Sequence, residues 1–576
     1  MDRTYEHFPI EETEFRLAVI QPADIGSEYM HCRIISTKDF TTQYEALSYV
    51  WGDPTQLARI LVDGQPYPIP RNLHKALHSL RLEDKERTLW IDVICINQMD
   101  VRERNHQVQM MQDIYQHAVR VCIWLGEKDE SSSLAMRFIE NVGHVSDLDS
   151  IIRDPRFEKE WRAAIQLLSL PWFSRIWVVQ EISVARKATI WCGNDTIDWQ
   201  HFASFVELLL HKAHISTEYM PFVDFGARRL VSIVNQVFKR NDLGEIQGLS
   251  LSLEILVTML SSFKSADARD RIYALLGLAN DIDSGRTLTR ESRNIQNSPS
   301  ELFTSDENET LSTQESEIWS INDMDVYSSD QINIGIDYGK PLAQLCDDFI
   351  CFAITKSGTL DILFRPWAPN DRNLPSWICT TDHLPYELHG DVGSIEAVRV
   401  NADPYVSPAW QSPTYSASGT LRVQKGWAVS RNEDGNSSLR IKGVVVDMID
   451  TIAPTAWGGK VPTEWLEFSE KRPIEDNDEL LHTLVAGRGP QGNMCPPYYH
   501  DAFISTVQGI GDIDFIDVNQ IQLDNPGSIE GEFWSRAQAV IWDRSLIKTR
   551  HGRLGMVPSL AKKGDCELKF NSSNIF

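Results

Sequence analysis

The stretch LWIDVICI, residues Leu89 to Ile96, is a nearly continuous apolar run that a single carboxylate, Asp92, interrupts. Strands that are covered on both faces in a parallel sheet have this composition. We therefore predict a buried strand here. Similar β-forming runs occur at residues 44–50 and 119–125, and apolar residues recur at helical spacing from Val101 to His117. This β-α-β order, with a crossover long enough for parallel pairing, indicates an α/β fold.

Further predicted elements extend this pattern on both sides. They are a hairpin over residues 59–70 that turns at Asp63-Gly64, a helix over 73–80 capped by Asn72, helices over 131–142, 158–169 and 174–186, and a strand over 188–192. Together they predict a doubly wound, mostly parallel sheet in a domain at residues 41–212, after a lead-in at 1–40.

The rest of the chain divides by composition. We predict a helical region at residues 213–288 and an α+β C-terminal region at residues 331–576. Between them, residues 289–330 are acidic, rich in Ser, Thr and Asn, and almost without apolar periodicity. Such a segment cannot bury enough apolar surface to fold, so we expect a disordered insert.

Charge and apolar content exclude several function classes. The 576 residues include 55 Lys and Arg against 81 Asp and Glu, a net charge of −26, which repels nucleic acid and anionic lipid. No run approaches the roughly 20 apolar residues of a membrane span, and the acidic N-terminus is unlike a signal peptide. We expect a cytoplasmic protein with no nucleic-acid partner. Nine cysteines without a C-x-x-C pair indicate reduced thiols and no zinc site.

Candidate ligand-binding residues follow the first two predicted parallel strands, because ligands of doubly wound sheets bind beyond the carboxyl ends of the strands. Trp51 could stack on a ligand ring, and Gly52 would allow close approach of the backbone to a phosphate. Trp51 could equally cap the core, and Gly52 could simply form the turn. The candidates are Ser48, Trp51, Gly52 and Asp53 after the first strand, and Asn97 and Gln98 after the second.

Five blocks in order make the first domain recognisable. They are YEALSYVWG (44–52), LWIDVICINQ (89–98), ERNHQVQMMQDIY (103–115), VCIWLG (121–126) and PWFSRIWVVQEISVA (171–185). Together these blocks resemble the fungal heterokaryon incompatibility (HET) domain, which is distantly similar to Toll/interleukin-1-receptor (TIR) domains. The resemblance implies a role in nonself recognition that triggers programmed cell death, together with a homo-oligomer or a partner incompatibility protein.

The same resemblance implies a catalytic residue. Some TIR relatives cleave NAD with a glutamate four residues after a tryptophan, and Trp177 and Glu181 keep this spacing. A carboxylate can stabilise the oxocarbenium character that builds on the ribose, so we expect Glu181 to face a crevice at the top of the sheet. NAD would then be a substrate, with no cofactor required. Two alternatives stay open: an ion pair of Glu181 with Arg175 or Arg186, and a signalling module without enzymatic activity.

Two other carboxylates, Glu45 and Asp92, lie inside predicted strands. A buried, unpaired carboxylate is energetically costly, so each needs a cationic or hydrogen-bonded partner. Arg175 and Arg104 are the candidate partners. A structural network is favoured over catalysis for both.

Overall fold

The computed structural model describes most of the chain, and the predicted acidic insert at 289–330 lies outside the described residues. The structure describes residues 5–22, 29–142, 151, 154–212, 226–240, 246–282, 334–389, 396–404, 406–409, 427–431, 437–441, 443–468, 478–489, 493–509, 513–524 and 527–570.

A nine-stranded sheet dominates the N-terminal part. Its strands are β1 (Phe15–Ile20), β2 (His31–Thr37), β3 (Glu45–Tyr49), β4 (Leu57–Val62), β5 (Gln65–Pro70), β6 (Arg87–Trp90), β7 (Val121–Gly126), β8 (Ala188–Cys192) and β9 (Asp195–Asp198). The order across the sheet is β5-β4-β2-β1-β6-β3-β7-β8-β9. The central strands β6, β3, β7 and β8 are parallel neighbours, and antiparallel pairs lie toward both edges. The α/β fold class is confirmed, as a mixed sheet with a parallel centre.

Helices connect these strands and pack on the sheet. They are α1 (Arg71–Leu80), α2 (Asp92–Cys95), α3 (Val101–His117), α4 (Glu130–Val142), α5 (Glu158–Leu168), α6 (Trp177–Ser183) and α7 (Trp199–Lys212). Helix α3 has the predicted bounds, and Asp100 caps it by accepting hydrogen bonds from the backbone N–H groups of Arg102 and Glu103.

The prediction of one strand over residues 89–96 is wrong. Strand β6 ends at Trp90, and residues 92–95 form the short helix α2. The Asp92 side chain accepts a hydrogen bond from the backbone N–H of Val93, and the Ile96 N–H donates to the Asp92 carbonyl. These local bonds compete with strand pairing, so the chain turns where Asp92 leaves the sheet.

The predicted cap of α1 is also wrong. Pro70 occupies the N-cap position, and no side chain caps this end of the helix with a hydrogen bond. Asn72 instead donates a hydrogen bond to the Val50 carbonyl at 2.6 Å and accepts one from the Trp124 indole at 3.1 Å. It therefore ties α1 to the ends of β3 and β7.

The predicted boundary at residue 41 runs through this sheet. Strands β1 and β2 precede it, and β1 pairs with both β2 and β6 near the middle of the sheet. All six residues of β1 are buried. The predicted lead-in thus supplies part of the core on which the domain at 41–212 rests.

The remaining described residues form further helices and small sheets. The helices are α8 (Gly226–Gln236), α9 (Leu253–Met259), α10 (Asp270–Tyr273), α11 (Leu342–Ser357), α12 (Glu464–Glu467), α13 (Asp478–Leu484), α14 (Tyr498–Gln508), α15 (Val518–Asp524) and α16 (Ile529–Ile541). The strands are β10 (Phe238–Arg240), β11 (Ile246–Leu249), β12 (Tyr386–His389), β13 (Glu396–Arg399), β14 (Trp427–Arg431), β15 (Ser437–Ile441), β16 (Gly443–Ala456), β17 (Lys460–Pro462), β18 (Phe515–Asp517), β19 (Arg544–Thr549), β20 (Leu554–Pro558) and β21 (Cys566–Phe570).

Two hydrophobic cores organise these elements. One extends from Tyr5 to Ile378 and includes the nine-stranded sheet, and the other extends from Ala453 to Leu546. The predicted helical region at 213–288 also contains the hairpin of β10 and β11. The C-terminal region mixes helices and strands as predicted. Within the described residues, no helix has the length and apolar content needed to cross a bilayer.

Candidate functional site

The carboxyl group of Glu181 lies inside the first core, beside the end of β3. Helix α6 carries Glu181, which is 3% exposed and accepts a hydrogen bond from the Ser48 hydroxyl. The indole N–H of Trp172 donates to the same hydroxyl at 2.8 Å. Glu181 and the predicted ligand residue Ser48 therefore meet, although 133 residues separate them. The expectation of an open crevice is wrong, because this carboxyl group is closed off from solvent.

Arg175 supplies positive charge to this centre. Its guanidinium donates a hydrogen bond to the Tyr49 carbonyl at the end of β3. It favours the ionised forms of both Asp92 and Glu181. Two carboxylates and one guanidinium thus share the carboxyl edge of the parallel strands.

The pKa values of both carboxyl groups are raised. Burial is the main cause for Glu181 and lifts its pKa from 4.5 to about 7, against the opposing effects of Arg175 and the Ser48 hydrogen bond. The negative charge of Asp92 adds to the increase. Burial also raises the pKa of Asp92. Buried carboxyl groups with raised pKa values that face a strand edge are typical of functional sites, although structural networks can have them as well.

The predicted ligand loop lies at the surface beside this centre. Trp51 is 41% exposed, and its indole N–H donates to Asp92 Oδ2 at 2.7 Å. Gly52 has a φ of +81°, which favours glycine because side chains rarely adopt this conformation. Asp53 is exposed and accepts hydrogen bonds from the backbone and hydroxyl of Thr55. Trp51 is therefore a residue of this loop that is both exposed to solvent and hydrogen-bonded to the charged centre.

Asn97 and Gln98 support the second loop. The backbone N–H of Asn97 donates to Glu103 Oε1 at 2.7 Å, and its side-chain oxygen accepts from the Met99 N–H at 3.2 Å. The Gln98 amide donates to the Asp92 carbonyl at 3.3 Å. Both side chains make local bonds, and Gln98 steadies the backbone of Asp92.

The structure agrees with some of the cationic partners predicted for the carboxyl groups and differs for others. Arg175 influences both Asp92 and Glu181, as proposed. Glu45 pairs with Arg87 at 2.6 Å instead, and the Arg104 guanidinium lies over the Tyr338 ring at 4.2 Å. The sequence indicated that Trp172 packs or joins a structural network, but it did not indicate the hydrogen bond from Trp172 to Ser48. The place of Trp172 in PWFSRIWVVQEISVA, five residues before Trp177, was the available signal.

The helix that carries Glu181 is shorter than predicted. It begins at Trp177 rather than Ser174, because Arg175 adopts an extended conformation and forms a parallel β-bridge with Lys264. The Lys264 N–H donates to the Ser174 carbonyl at 2.6 Å, and the Ile176 N–H donates to the Lys264 carbonyl at 3.0 Å. A segment from beyond the first domain thus fixes the backbone on both sides of Arg175.

Tyr338 joins this downstream segment to α3. Its backbone N–H donates to Asn105 Oδ1 at 3.1 Å, and its hydroxyl donates to Asp270 Oδ1 at 2.7 Å. Burial raises the pKa of Asp270 to about 6, and hydrogen bonds from the Tyr338 and Trp177 side chains oppose that increase. Asp270 therefore links Tyr338 to the first residue of α6.

We expect Tyr338→Phe to lower the free energy of unfolding by about 1–2 kcal/mol, because the buried Asp270 would lose a hydrogen-bond donor. Urea denaturation of the full chain measures this. Tyr386→Phe is the matched control: Tyr386 is 50% exposed, and the substitution should cost less than about 0.5 kcal/mol. Equal effects of the two substitutions would show that the Tyr338 hydroxyl does not stabilise this contact.

Replacing Glu181 with glutamine should change how stability depends on pH. Because the folded state raises the pKa of Glu181 from 4.5 to about 7, it binds more protons than the unfolded state between these values. The contribution of Glu181 to stability is then full below about pH 4.5 and is lost as the pH rises through 7. Glutamine has no such dependence. The stability of Glu181→Gln relative to the unmodified chain should therefore increase by about 3 kcal/mol between pH 5 and pH 8.

Urea denaturation at the two pH values tests this difference. Comparing the two chains removes the contribution of Asp270, which both proteins retain. The contribution of Asp92 cancels only in part, because its charge is coupled to that of Glu181. A difference in stability that is the same at pH 5 and pH 8 would mean that Glu181 is already ionised throughout this range.

Comparisons with known proteins agree with the resemblance found in the sequence. The family model described as heterokaryon incompatibility protein (HET) matches residues 44–181. Heterokaryon incompatibility protein 6, OR allele, from Neurospora crassa is 27% identical over 330 residues, which cover 47% of this chain and 48% of that protein. The chain thus matches about half the length of this curated relative. No solved structure matches the chain, so the likeness to TIR domains stays a prediction. Residues 44–181, which contain Ser48, Asp92 and Glu181, are thus the part of this chain that is similar to the heterokaryon incompatibility (HET) family.

Proposed function

We propose that this chain is a cytoplasmic effector of fungal heterokaryon incompatibility, which triggers cell death after nonself recognition. The HET domain and the similarity to heterokaryon incompatibility protein 6 support this role. The partners are a second copy of the chain or another incompatibility protein.

At the molecular level, the proposed activity is cleavage of the bond between nicotinamide and ribose in NAD or a related dinucleotide. The observation that carries this proposal is the hydrogen bond from Ser48 to the buried Glu181, at the carboxyl end of a central parallel strand. A ribose hydroxyl is the same kind of donor as the Ser48 hydroxyl, and it can replace Ser48 once the closed centre around Glu181 opens to admit the substrate. The site therefore offers an acceptor that suits the sugar beside the bond to be broken.

The chemistry needs little more than this carboxylate. As the glycosidic C–N bond breaks, its electron pair leaves with the nicotinamide and positive charge builds on the ribose. A carboxylate in a site of low polarity stabilises this charge strongly. Water then attacks the sugar, which yields ADP-ribose, and releases a proton. Neutral nicotinamide leaves from a cationic pyridinium, so the leaving group needs no protonation.

The raised pKa of Glu181 predicts the pH dependence of the reaction. Because the ionised carboxylate is the active form, kcat/KM should rise about tenfold per pH unit below pH 7 and level off above it. The corresponding rise in kcat should occur at lower pH, because the positive charge of the bound pyridinium lowers the pKa of Glu181 in the enzyme–substrate complex. Initial rates between pH 5 and pH 9 give both profiles. A kcat/KM that is flat across pH 7 would contradict Glu181 as the titrating group.

The direct test is nicotinamide release by the purified full chain over a range of protein concentrations, with oligomeric state followed by light scattering. Release of nicotinamide and ADP-ribose in equal amounts supports the proposal. Intact NAD in the presence of demonstrated oligomers would overturn it.

One observation favours a second function, that of a signalling module without enzymatic activity. Glu181 is 3% exposed and already accepts a hydrogen bond, as a purely structural carboxyl group would. In that case the HET domain acts by self-association or by recruiting partners. Cell death that persists in a Glu181→Gln strain, together with unchanged NAD, would establish this function.

A further inference from the structure

Asp92 occupies the position next to the candidate ligand loop at the edge of the sheet. Strands β3 and β6 are parallel neighbours, with Glu45 opposite Leu89 and Ala46 opposite Trp90. Their carboxyl ends therefore lie side by side, with Trp51 and Gly52 following one strand and Asp92 following the other. In open α/β sheets an acidic residue at this place can accept hydrogen bonds from the hydroxyl groups of a nucleotide ribose.

The hydrogen bonds of Asp92 leave one carboxylate oxygen directed to the surface loop. Oδ1 accepts from the backbone N–H of Val93 at 2.7 Å, whereas Oδ2 accepts from the Trp51 indole at 2.7 Å. The buried Tyr49 hydroxyl also interacts with this carboxyl group and favours its ionised form. Because Trp51 is 41% exposed, its indole can leave Asp92 without disturbing the core. A ligand hydroxyl can therefore replace the indole N–H as the donor to Asp92 Oδ2.

The charges around Asp92 suit a neutral hydroxyl better than a phosphate. Asp92 and Glu181 are both acidic, and the nearby Arg175 guanidinium already donates to the Tyr49 carbonyl. A phosphate on the ribose would add close to two negative charges beside these carboxylates. Like charges in direct contact repel each other, so this edge should reject a ribose that carries a phosphate on the oxygen facing Asp92.

Glu181 and Asp92 differ in how deeply they are buried, and this difference indicates which end of the ligand each carboxyl group contacts. Glu181 lies deep, at 3% exposure, and takes the reacting ribose under the proposed function. Asp92 is half-buried and contacts the surface residue Trp51. The outer carboxylate therefore meets the ribose that does not react, which in NAD is the ribose that carries adenine.

We propose that Asp92 binds the free 2′- and 3′-hydroxyl groups of the adenosine ribose and thereby selects NAD over NADP, which carries a phosphate on the 2′-oxygen. The inference rests on the proposed dinucleotide site, but it concerns binding and does not require cleavage. Ligand binding then moves Trp51 away from Asp92 and frees its indole ring to stack on the adenine.

Calorimetric titration of the full-length Glu181→Gln chain with NAD and NADP tests this proposal, because that variant binds without consuming the ligand. We expect at least about tenfold tighter binding of NAD, and a preference below about threefold once Asp92→Asn is added. Asp39→Asn is the control: Asp39 precedes the amino end of β3, contacts Thr41 and should leave the preference unchanged. Trp51→Phe removes the indole donor but not Asp92, so the preference for NAD should persist.

A ligand-side measurement keeps the test decisive if Asp92→Asn does not fold. NAD that lacks the adenosine 2′-hydroxyl should bind the Glu181→Gln chain about tenfold more weakly than NAD itself. Equal binding of NAD, NADP and the deoxy analogue would overturn the role of Asp92 even if the unmodified chain cleaves NAD. Preferential NAD binding by the Glu181→Gln chain, with no cleavage of NAD by the unmodified chain, would support Asp92 and overturn the proposed reaction. Absence of binding by all three ligands would overturn both.

Discussion

Glu181→Gln is expected to lower the rate of NAD cleavage by about a thousandfold or more, because glutamine cannot supply the negative charge that stabilises the developing positive charge on the ribose. Glutamine has nearly the same shape as glutamate, and its carbonyl oxygen can accept the hydrogen bond that Ser48 now donates to Glu181. The substitution therefore removes charge with little change in packing. Nicotinamide release per mole of folded chain at pH 8 measures the effect.

A matched surface substitution separates this effect from a general loss of charge. Glu158 lies on α5, where it pairs with Arg162 at 2.9 Å in an exposed position. Glu158→Gln should leave the cleavage rate unchanged. If Glu181→Gln retains a rate close to that of the unmodified chain, a different group carries the reaction and the carboxyl group of Glu181 is structural.

Local sequence patterns were sufficient to predict a helix or strand whose formation depends mainly on the residues within it. Helix α3 was predicted at residues 101–117 from its apolar spacing alone, and the structure adds the Asp100 cap. The run at residues 89–96 was predicted as one strand and was wrong in its second half. Composition cannot distinguish a buried strand from a buried helical turn, and the hydrogen bonds made by Asp92 decide between them.

The arrangement of the site could not be predicted in full, because it depends on contacts between residues that are far apart in the sequence. The resemblance to a known family drew attention to Glu181, and the position after a strand drew attention to Ser48. Only the fold shows that the two are hydrogen-bonded and that Trp172 donates to the same hydroxyl. The partner of Glu45 was missed for the same reason: Arg87 lies on the neighbouring strand, and strand order was not known.

The domain boundary shows a similar limit. Residues before 41 lack a recognisable family block, so they were predicted as a lead-in. Strand β1 nevertheless lies between β2 and β6, and its Arg16 is completely buried. Recognition of a motif marks where a family pattern begins, whereas the hydrophobic core marks where the folded unit begins.

The second large effect is expected at Arg16, whose guanidinium holds the N-terminal strand to the helices on one face of the sheet. It donates to Glu103 Oε1 at 2.6 Å and to Oε2 at 3.0 Å, and also to the Cys95 carbonyl at 3.0 Å. Glu103 Oε1 accepts the Asn97 backbone N–H as well. Arg16 thus supports β1, α2 and α3, together with the loop that follows Asp92.

Arg16→Met should lower the free energy of unfolding by about 3–5 kcal/mol, since it leaves the Glu103 carboxylate in a mostly buried position without its cation. Urea denaturation followed by tryptophan fluorescence measures the loss. Arg33→Met on β2 is the matched control: the ion pair of Arg33 with Glu86 is exposed, and its loss should cost less than about 1 kcal/mol. Adding Glu103→Leu to Arg16→Met should restore part of the stability, because no unpaired charge then remains in the core. A loss at Arg16 no larger than the loss at Arg33 would mean that the sheet holds β1 by strand pairing alone.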